Sequence, residues 1–339
     1  PGKRVVILFD AMDECEETPR RELLRILQND FLTCMPDWLG FIITTRDEEY
    51  EDTSDGSFEC TKLDAEKQKN NDDLHSHFNT MLMKDNQSSV HPETDHDKAV
   101  DHLTECANGL FLYARFVNVT LTKLTRNHSQ TITLNQIKDN KNFSGSVEGE
   151  YQKFMQRFLD DALGGDEKVL GNILGPMAIA RANIPMGMIC TVLKNKIIQG
   201  NSDACEEEIQ DLVNKKLLGV CNLLVKTTDG QDQVLSFVHK SMSDWLRNTK
   251  TRKPFRIYDS KGHQAMLDLL ANHSKSAFAS SHHVYHLLSA KKYEQASKLL
   301  LDPEWLLQAL ESGARVQLVL DGLHNDALWS KDKCHANAT

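Results

Sequence analysis

Val5-Val6-Ile7-Leu8-Phe9-Asp10-Ala11-Met12-Asp13-Glu14 places a run of five apolar residues ahead of three carboxylates within five positions. The run is uninterrupted and rich in β-branched residues, so it predicts a strand buried on both faces, as in the interior of a parallel sheet. Acids at its carboxyl end then stand where such sheets bind ligands. A simpler alternative is a helix start after a buried strand, where acids favour the helix dipole.

Outward from this stretch, Leu23, Leu24, Ile26, Leu27 and Phe31 recur at helical spacing behind Thr18-Pro19, residue types suited to an N-cap and a first helical position. Leu39-Gly40-Phe41-Ile42-Ile43-Thr44-Thr45-Arg46 reads as a second buried strand ending in polar residues and a cation. Strand, helix, strand makes a βαβ unit, which brings both polar ends to one edge of the sheet. For Arg46 alone, a surface ion pair with Asp47 or Glu48 is the plainer reading.

The chain of 339 residues predicts two or three domains. With 40% apolar and 26% charged residues it has the composition of a globular protein, and no apolar run approaches the roughly 20 residues that span a bilayer. A net charge of −10 argues against a general phosphate-backbone binder, though not against a nucleotide, which needs only a local pocket. Eight cysteines without C-x-x-C pairs predict reduced thiols and a cytoplasmic setting. Opening on Pro1, almost inside a strand, reads as a piece of a longer protein.

Further along, Phe58, Cys60 and Leu63 alternate like a short strand, Asp64 to about Leu82 reads as helix, and Lys84 to Asp97 as a polar loop. Lys98 to Leu124 is helical with a break at Asn108-Gly109, and residues 126–149 suggest a domain joint. Tyr151, Phe154, Met155, Phe158, Leu159 and Ala162 form the apolar stripe of the next helix. Helical runs Val169–Ala180, Pro185–Leu193 and Glu206–Leu218 precede a hairpin turning at Asp229-Gly230, the order of a winged-helix module. Its third helix carries Glu206, Glu207, Glu208 and Asp211 against Lys215 and Lys216, which would repel a phosphate backbone. Beyond Arg252 the chain predicts paired helices. There His273, His282, His283 and His286 read as polar helix surface rather than a metal site, because no acid joins them in an H-E-x-x-H pattern.

The first strand with its acids resembles the Walker B segment of a P-loop NTPase, Thr44-Thr45-Arg46 the sensor 1 segment of the STAND class (NACHT and NB-ARC domains), and Gly109–Ala114 the start of a NACHT-like helical lid. Phe237-Val238-His239-Lys240-Ser241-Met242-Ser243-Asp244-Trp245-Leu246 resembles the winged-helix ending of NACHT–WD-repeat, nephrocystin-type and TANC-like proteins. The resemblance implies that Asp10 holds Mg²⁺, Asp13 or Glu14 orients the attacking water, Arg46 contacts the terminal phosphate, and His239 reaches the phosphates in an ADP-bound state. For His239 the alternative is a structural imidazole capping the following helix.

The expected architecture is α/β plus α. Residues 1–63 would be the carboxyl-terminal half of a NACHT-like sheet, 64–145 the lid, 146–250 the winged helix, 251–329 a helical connector or repeat-like region, and 330–339 a tail. No G-x-x-x-x-G-K-[ST] loop occurs, so the chain alone is expected to bind ATP or ADP weakly and to hydrolyse nothing measurable. Two functions follow: part of a nucleotide-dependent signalling switch with Mg²⁺ and ATP/ADP as cofactors, or an inactive scaffold retaining lid and winged helix. Protein partners through downstream repeats and a homo-oligomer are expected, nucleic acid and membrane are not, and a DNA-binding winged helix is the third possibility.

Overall fold

The computed structural model describes residues 4–14, 17–31, 34–36, 38–46, 59, 61, 68–84, 93–127, 133–139, 143–198, 224–229 and 232–311. The chain divides into two compact units, residues 1–70 and 71–339. The expected strand at Phe58–Leu63 falls almost wholly outside the described residues, and the helix at Glu206–Leu218 and the tail from Ser330 lie outside them altogether.

The first unit is a βαβ segment. Strand β1 (Val5–Phe9) leads through a short turn at Met12–Glu14 into helix α1 (Glu17–Arg25), which widens into a π-type turn at Ile26–Phe31 before strand β2 (Leu39–Ile43). The strands pair in parallel, Val5 against Leu39 through Phe9 against Ile43. Met12, Leu24 and Leu27 are the buried apolar side chains of this segment. The reading of β1 as a strand buried on both faces is corrected: Val5, Val6, Ile7 and Leu8 are between 39% and 59% exposed. Among the described residues the sheet has two strands, and β1 lacks the packed cover that an interior strand of a parallel sheet receives on both faces.

The second unit is mostly helical. Helix α2 (Gln68–Lys84) is followed by the hairpin α3 (Glu93–Ala107) and α4 (Phe111–Asn127). The break falls at Asn108-Gly109, both at positive φ (43° and 76°), where glycine meets no steric penalty. Residues 93–97, expected as loop, belong to α3, anchored by a 2.8 Å hydrogen bond between His96 Nε2 and Asn79 Oδ1 and by the Lys98–Asp95 pair at 3.5 Å. Helix α5 (Leu134–Lys138) carries a capping box between Thr133 and Gln136. Helix α6 (Val147–Arg157) and its continuation Phe158–Ala162 bury the expected stripe Tyr151, Phe154, Met155, Phe158 and Leu159.

Between α5 and α6 the polar segment is held by side chains. Tyr113 Oη donates to the Ser144 carbonyl, and Ser144 N–H donates to the carboxylate of Glu150, which is 2% exposed and paired with Lys153 at 3.0 Å. Burial pushes the Tyr113 phenol well above its ordinary range, so it stays a hydroxyl donor.

Helix α7 (Glu167–Ile179), strand β3 (Ile184–Pro185), helix α8 (Met186–Ile198) and strands β4 (Leu224–Asp229) and β5 (Asp232–Phe237) follow, with an antiparallel sheet ordered β3-β5-β4. Helix α9 (Ser241–Arg247) leads to α10 (Asp259–Ala271), α11 (Ala277–Ser289), α12 (Tyr293–Leu300) and α13 (Pro303–Glu311). One continuous buried cluster runs from Leu74 in α2 to Ala279 in α11.

Candidate functional site

In the first unit the strand register sets the site. The backbone ladder runs past the strands, with Thr44 N–H donating to Phe9 O at 2.9 Å and Met12 N–H to Thr44 O at 2.8 Å, so the two polar ends stay side by side. Ala11, at φ 53°, turns the first chain back across the second. The Thr44 hydroxyl donates to Asp10 Oδ1 at 2.6 Å and accepts the Ala11 N–H at 2.7 Å. Arg46 Nε lies 3.0 Å from Asp13 Oδ2, the carboxylate buried and the guanidinium partly exposed.

Three of the expected residues, Asp10, Asp13 and Arg46, therefore meet at one end of the sheet. Asp10 is exposed and oriented by Thr44; Asp13 is buried and engaged by Arg46. The Glu14 side chain, Asp47 and Glu48 lie outside the described residues. Sequence reading missed Thr44 as the organiser. Its signal was a hydroxyl placed one position beyond the second strand, in register with an acid one position beyond the first. Chemically, an exposed, oriented carboxylate suits Mg²⁺, which takes one or two carboxylates and leaves its other positions to water and phosphate. Among the described residues no group of three or more His, Cys, Asp or Glu gathers around a metal position. Replacing Thr44 by valine removes both hydrogen bonds; the expected loss is about 1–2 kcal/mol of local stability, read as faster amide exchange at Ala11.

His239 belongs to the second unit. Its Nδ1 lies 2.6 Å from Ser241 Oγ and accepts the Ser241 N–H at 3.2 Å, capping the start of α9, while the ring is exposed. Ser241 Oγ in turn lies 2.6 Å from the Tyr151 hydroxyl. The capping geometry offered as the alternative for His239 is thus present, and it engages Nδ1 and not Nε2.

For two of the four histidines read as polar helix surface that reading is corrected, while His273 and His283 are half-buried. His282 and His286 are buried, as is His263, which the sequence reading passed over. His263 Nδ1 and His286 Nδ1 stand 2.9 Å apart, the His282 ring lies tilted 4.5 Å from the Phe278 ring, and Arg181 lies 4.2 Å over the Tyr285 ring. The His263–His286 contact pairs one nitrogen of each ring and leaves His286 Nε2 buried without a partner, while the rings pack like aromatic side chains, which is how a polar residue type enters this core. Burial, with the neighbouring His263, His282, Arg181 and His283, pushes His286 down to about 2.

No helix among the described residues is long and apolar enough to cross a membrane. Comparison of the chain with protein-family models, with curated proteins and with solved structures gave no match.

Proposed function

We propose that this chain is part of a STAND-class, NACHT-like nucleotide switch acting in cytoplasmic signalling, its output being assembly with protein partners or with further copies of itself. The observation that carries the reading is the meeting of Asp10, Thr44, Asp13 and Arg46 at the carboxyl end of two parallel strands. In this reading Asp10 holds Mg²⁺, which neutralises phosphate charge when bound. Thr44 fixes the carboxylate's direction. Asp13 restrains Arg46 until a terminal phosphate competes for the guanidinium, a bidentate partner suited to it. His239 contacts the phosphates in the ADP-bound state, and exchange for ATP shifts the population towards a released form. The order α7, β3, α8 and the antiparallel sheet β3-β5-β4 supports reading residues 146–250 as a winged helix. Neither nucleic acid nor membrane enters the proposed mechanism.

A second reading has its own observation. Residues 1–339 contain no phosphate-cradling G-x-x-x-x-G-K-[ST] loop, as would hold also for a scaffold that keeps the modules without the chemistry. Calorimetric titration of ADP with Mg²⁺ separates the two, on this chain and on a longer form that supplies the loop. For the switch, the longer form binds, and Asp10→Ala or His239→Ala weakens it by roughly ten- to a hundredfold, the loss of one charge-assisted contact. Absence of binding in the longer form leaves the scaffold.

A further inference from the structure

We infer that Ser241 and Tyr151 are positioning residues for His239: they hold its imidazole as the Nε2–H tautomer, with a single N–H donor turned outward. This rests on the phosphate-contact reading for its purpose, though not for its chemistry.

The starting point is the one partner whose role is not negotiable. The Ser241 backbone N–H, 3.2 Å from Nδ1, can only donate, so Nδ1 must present its lone pair. A hydrogen on Nδ1 would set donor against donor. The Ser241 hydroxyl, 2.6 Å from the same nitrogen, therefore donates to it as well. With that hydrogen committed, Oγ faces the Tyr151 hydroxyl at 2.6 Å as an acceptor, so the phenol donates. Burial raises the Tyr151 phenol above its ordinary range, which keeps that donor in place. The direction Tyr151 to Ser241 to His239 is fixed along the whole chain of bonds.

Its buried end is rigid. The Tyr151 ring is 2% exposed and lies 5.6 Å from Trp245 of α9 and 5.7 Å from Phe116 of α4, centroid to centroid. The phenol oxygen is thus located by packing against two other helices, and the surface imidazole inherits that placement. The outward Nε2–H has no lone pair to offer. It cannot ligate a metal ion through that nitrogen or accept from a sugar hydroxyl; it donates to an oxygen acceptor, and under the phosphate-contact reading that acceptor is a phosphate oxygen.

Long-range ¹H–¹⁵N correlation of the histidine rings in the full chain above neutral pH tests this, with His239 assigned by its loss in His239→Gln. The expected result is an imine-type Nδ1 and a protonated Nε2 in the wild type. Without the 2.6 Å hydroxyl bond only the 3.2 Å backbone contact orients the ring, so Ser241→Ala and, by a smaller amount, Tyr151→Phe let the imidazole turn off that N–H and raise the share of the other tautomer, while Ser241→Thr, which keeps the hydroxyl, restores the wild-type pattern. Inorganic phosphate is expected to shift the Nε2 signal in the wild type and to need roughly two- to tenfold higher concentration in Ser241→Ala, the loss of one hydrogen bond. An Nδ1–H ring in the wild type, or identical tautomers in wild type and Ser241→Ala, overturns the inference. The expected tautomers with no phosphate response uphold the relay and remove the phosphate reading instead.

Discussion

Lowering the pH from 7.5 to 5 is expected to strip about 2 kcal/mol from the second unit's stability through His286 alone. In the folded protein His286 is held down to about 2, first by burial and then by the neighbouring His263, His282, Arg181 and His283. An unfolded histidine titrates near 6.5. The unfolded chain therefore binds a proton that the folded chain refuses, and stability is full above about pH 6.5 and falls as pH drops towards 2. The slope is about 1.4 kcal/mol per pH unit per histidine, which over the interval from 6.5 to 5 gives the stated loss. His263, His273 and His283 are lowered in the same direction by burial and add to it.

Asp259, bound to Arg247 through two hydrogen bonds of 2.8 Å, pulls His263 upward, but that carboxylate is already shared with a fixed cation and burial dominates. At 2.9 Å, Nδ1 to Nδ1, one nitrogen must donate and the other accept, so the two Nδ1 atoms cannot both carry a hydrogen. The measurement is the urea midpoint at pH 7.5, 6 and 5 for wild type and His286→Leu. A visibly flatter pH dependence in the variant is expected; parallel curves would show that the imidazole is not the titrating element.

Gly262→Val is expected to cost about 3 kcal/mol, the largest effect of any single substitution on the helical packing proposed here. A Cβ at Gly262 of α10 would lie 3.0 Å from Ile179 Cγ2 and 3.2 Å from the Gly175 carbonyl oxygen of α7. The isoleucine methyl has some freedom, but the carbonyl belongs to a helix interior and cannot retreat. On the facing side, a Cβ at Gly175 would meet Ala265 Cβ at 3.3 Å. Small residues on both helices permit this approach, and added carbon forces the axes apart. Gly262→Ala should cost less, since alanine recovers up to about 1 kcal/mol of helix propensity. Gly171, in the same α7, has nothing within 4 Å of its would-be Cβ, so Gly171→Ala should stabilise by roughly 0.5–1 kcal/mol. Opposite signs for two glycines of one helical layer, read from thermal midpoints, would separate close approach from propensity. Equal signs would refute the packing account.

The parts of this molecule visible in its residues are those governed by local rules. The βαβ order followed from one β-branched run, one helical period and a second run, and the hairpin break followed from Asn108-Gly109 because a positive φ favours those residue types. The meeting of Asp10, Asp13 and Arg46 was readable because parallel pairing brings like ends together. What stayed hidden depended on non-local partners. Imidazoles count as polar in any periodicity, so nothing at His263 or His286 announced that each would be the other's partner across two helices. Thr44 looked like any strand-ending residue until the register set it beside Asp10. The exposure of β1 was equally unreadable, since a strand's composition states what it can bury and not how many neighbours it has.

Residues 143–149, Phe-Ser-Gly-Ser-Val-Glu-Gly, have the look of a tether at which one would divide the chain to express its halves. Yet Phe143 and Ser144 are buried, a tyrosine from α4 grips the carbonyl of Ser144, and a sequestered glutamate receives the N–H of the same residue. Scissors applied at that point would open a sealed interior to water on both sides, so a pair of soluble pieces should not be sought there.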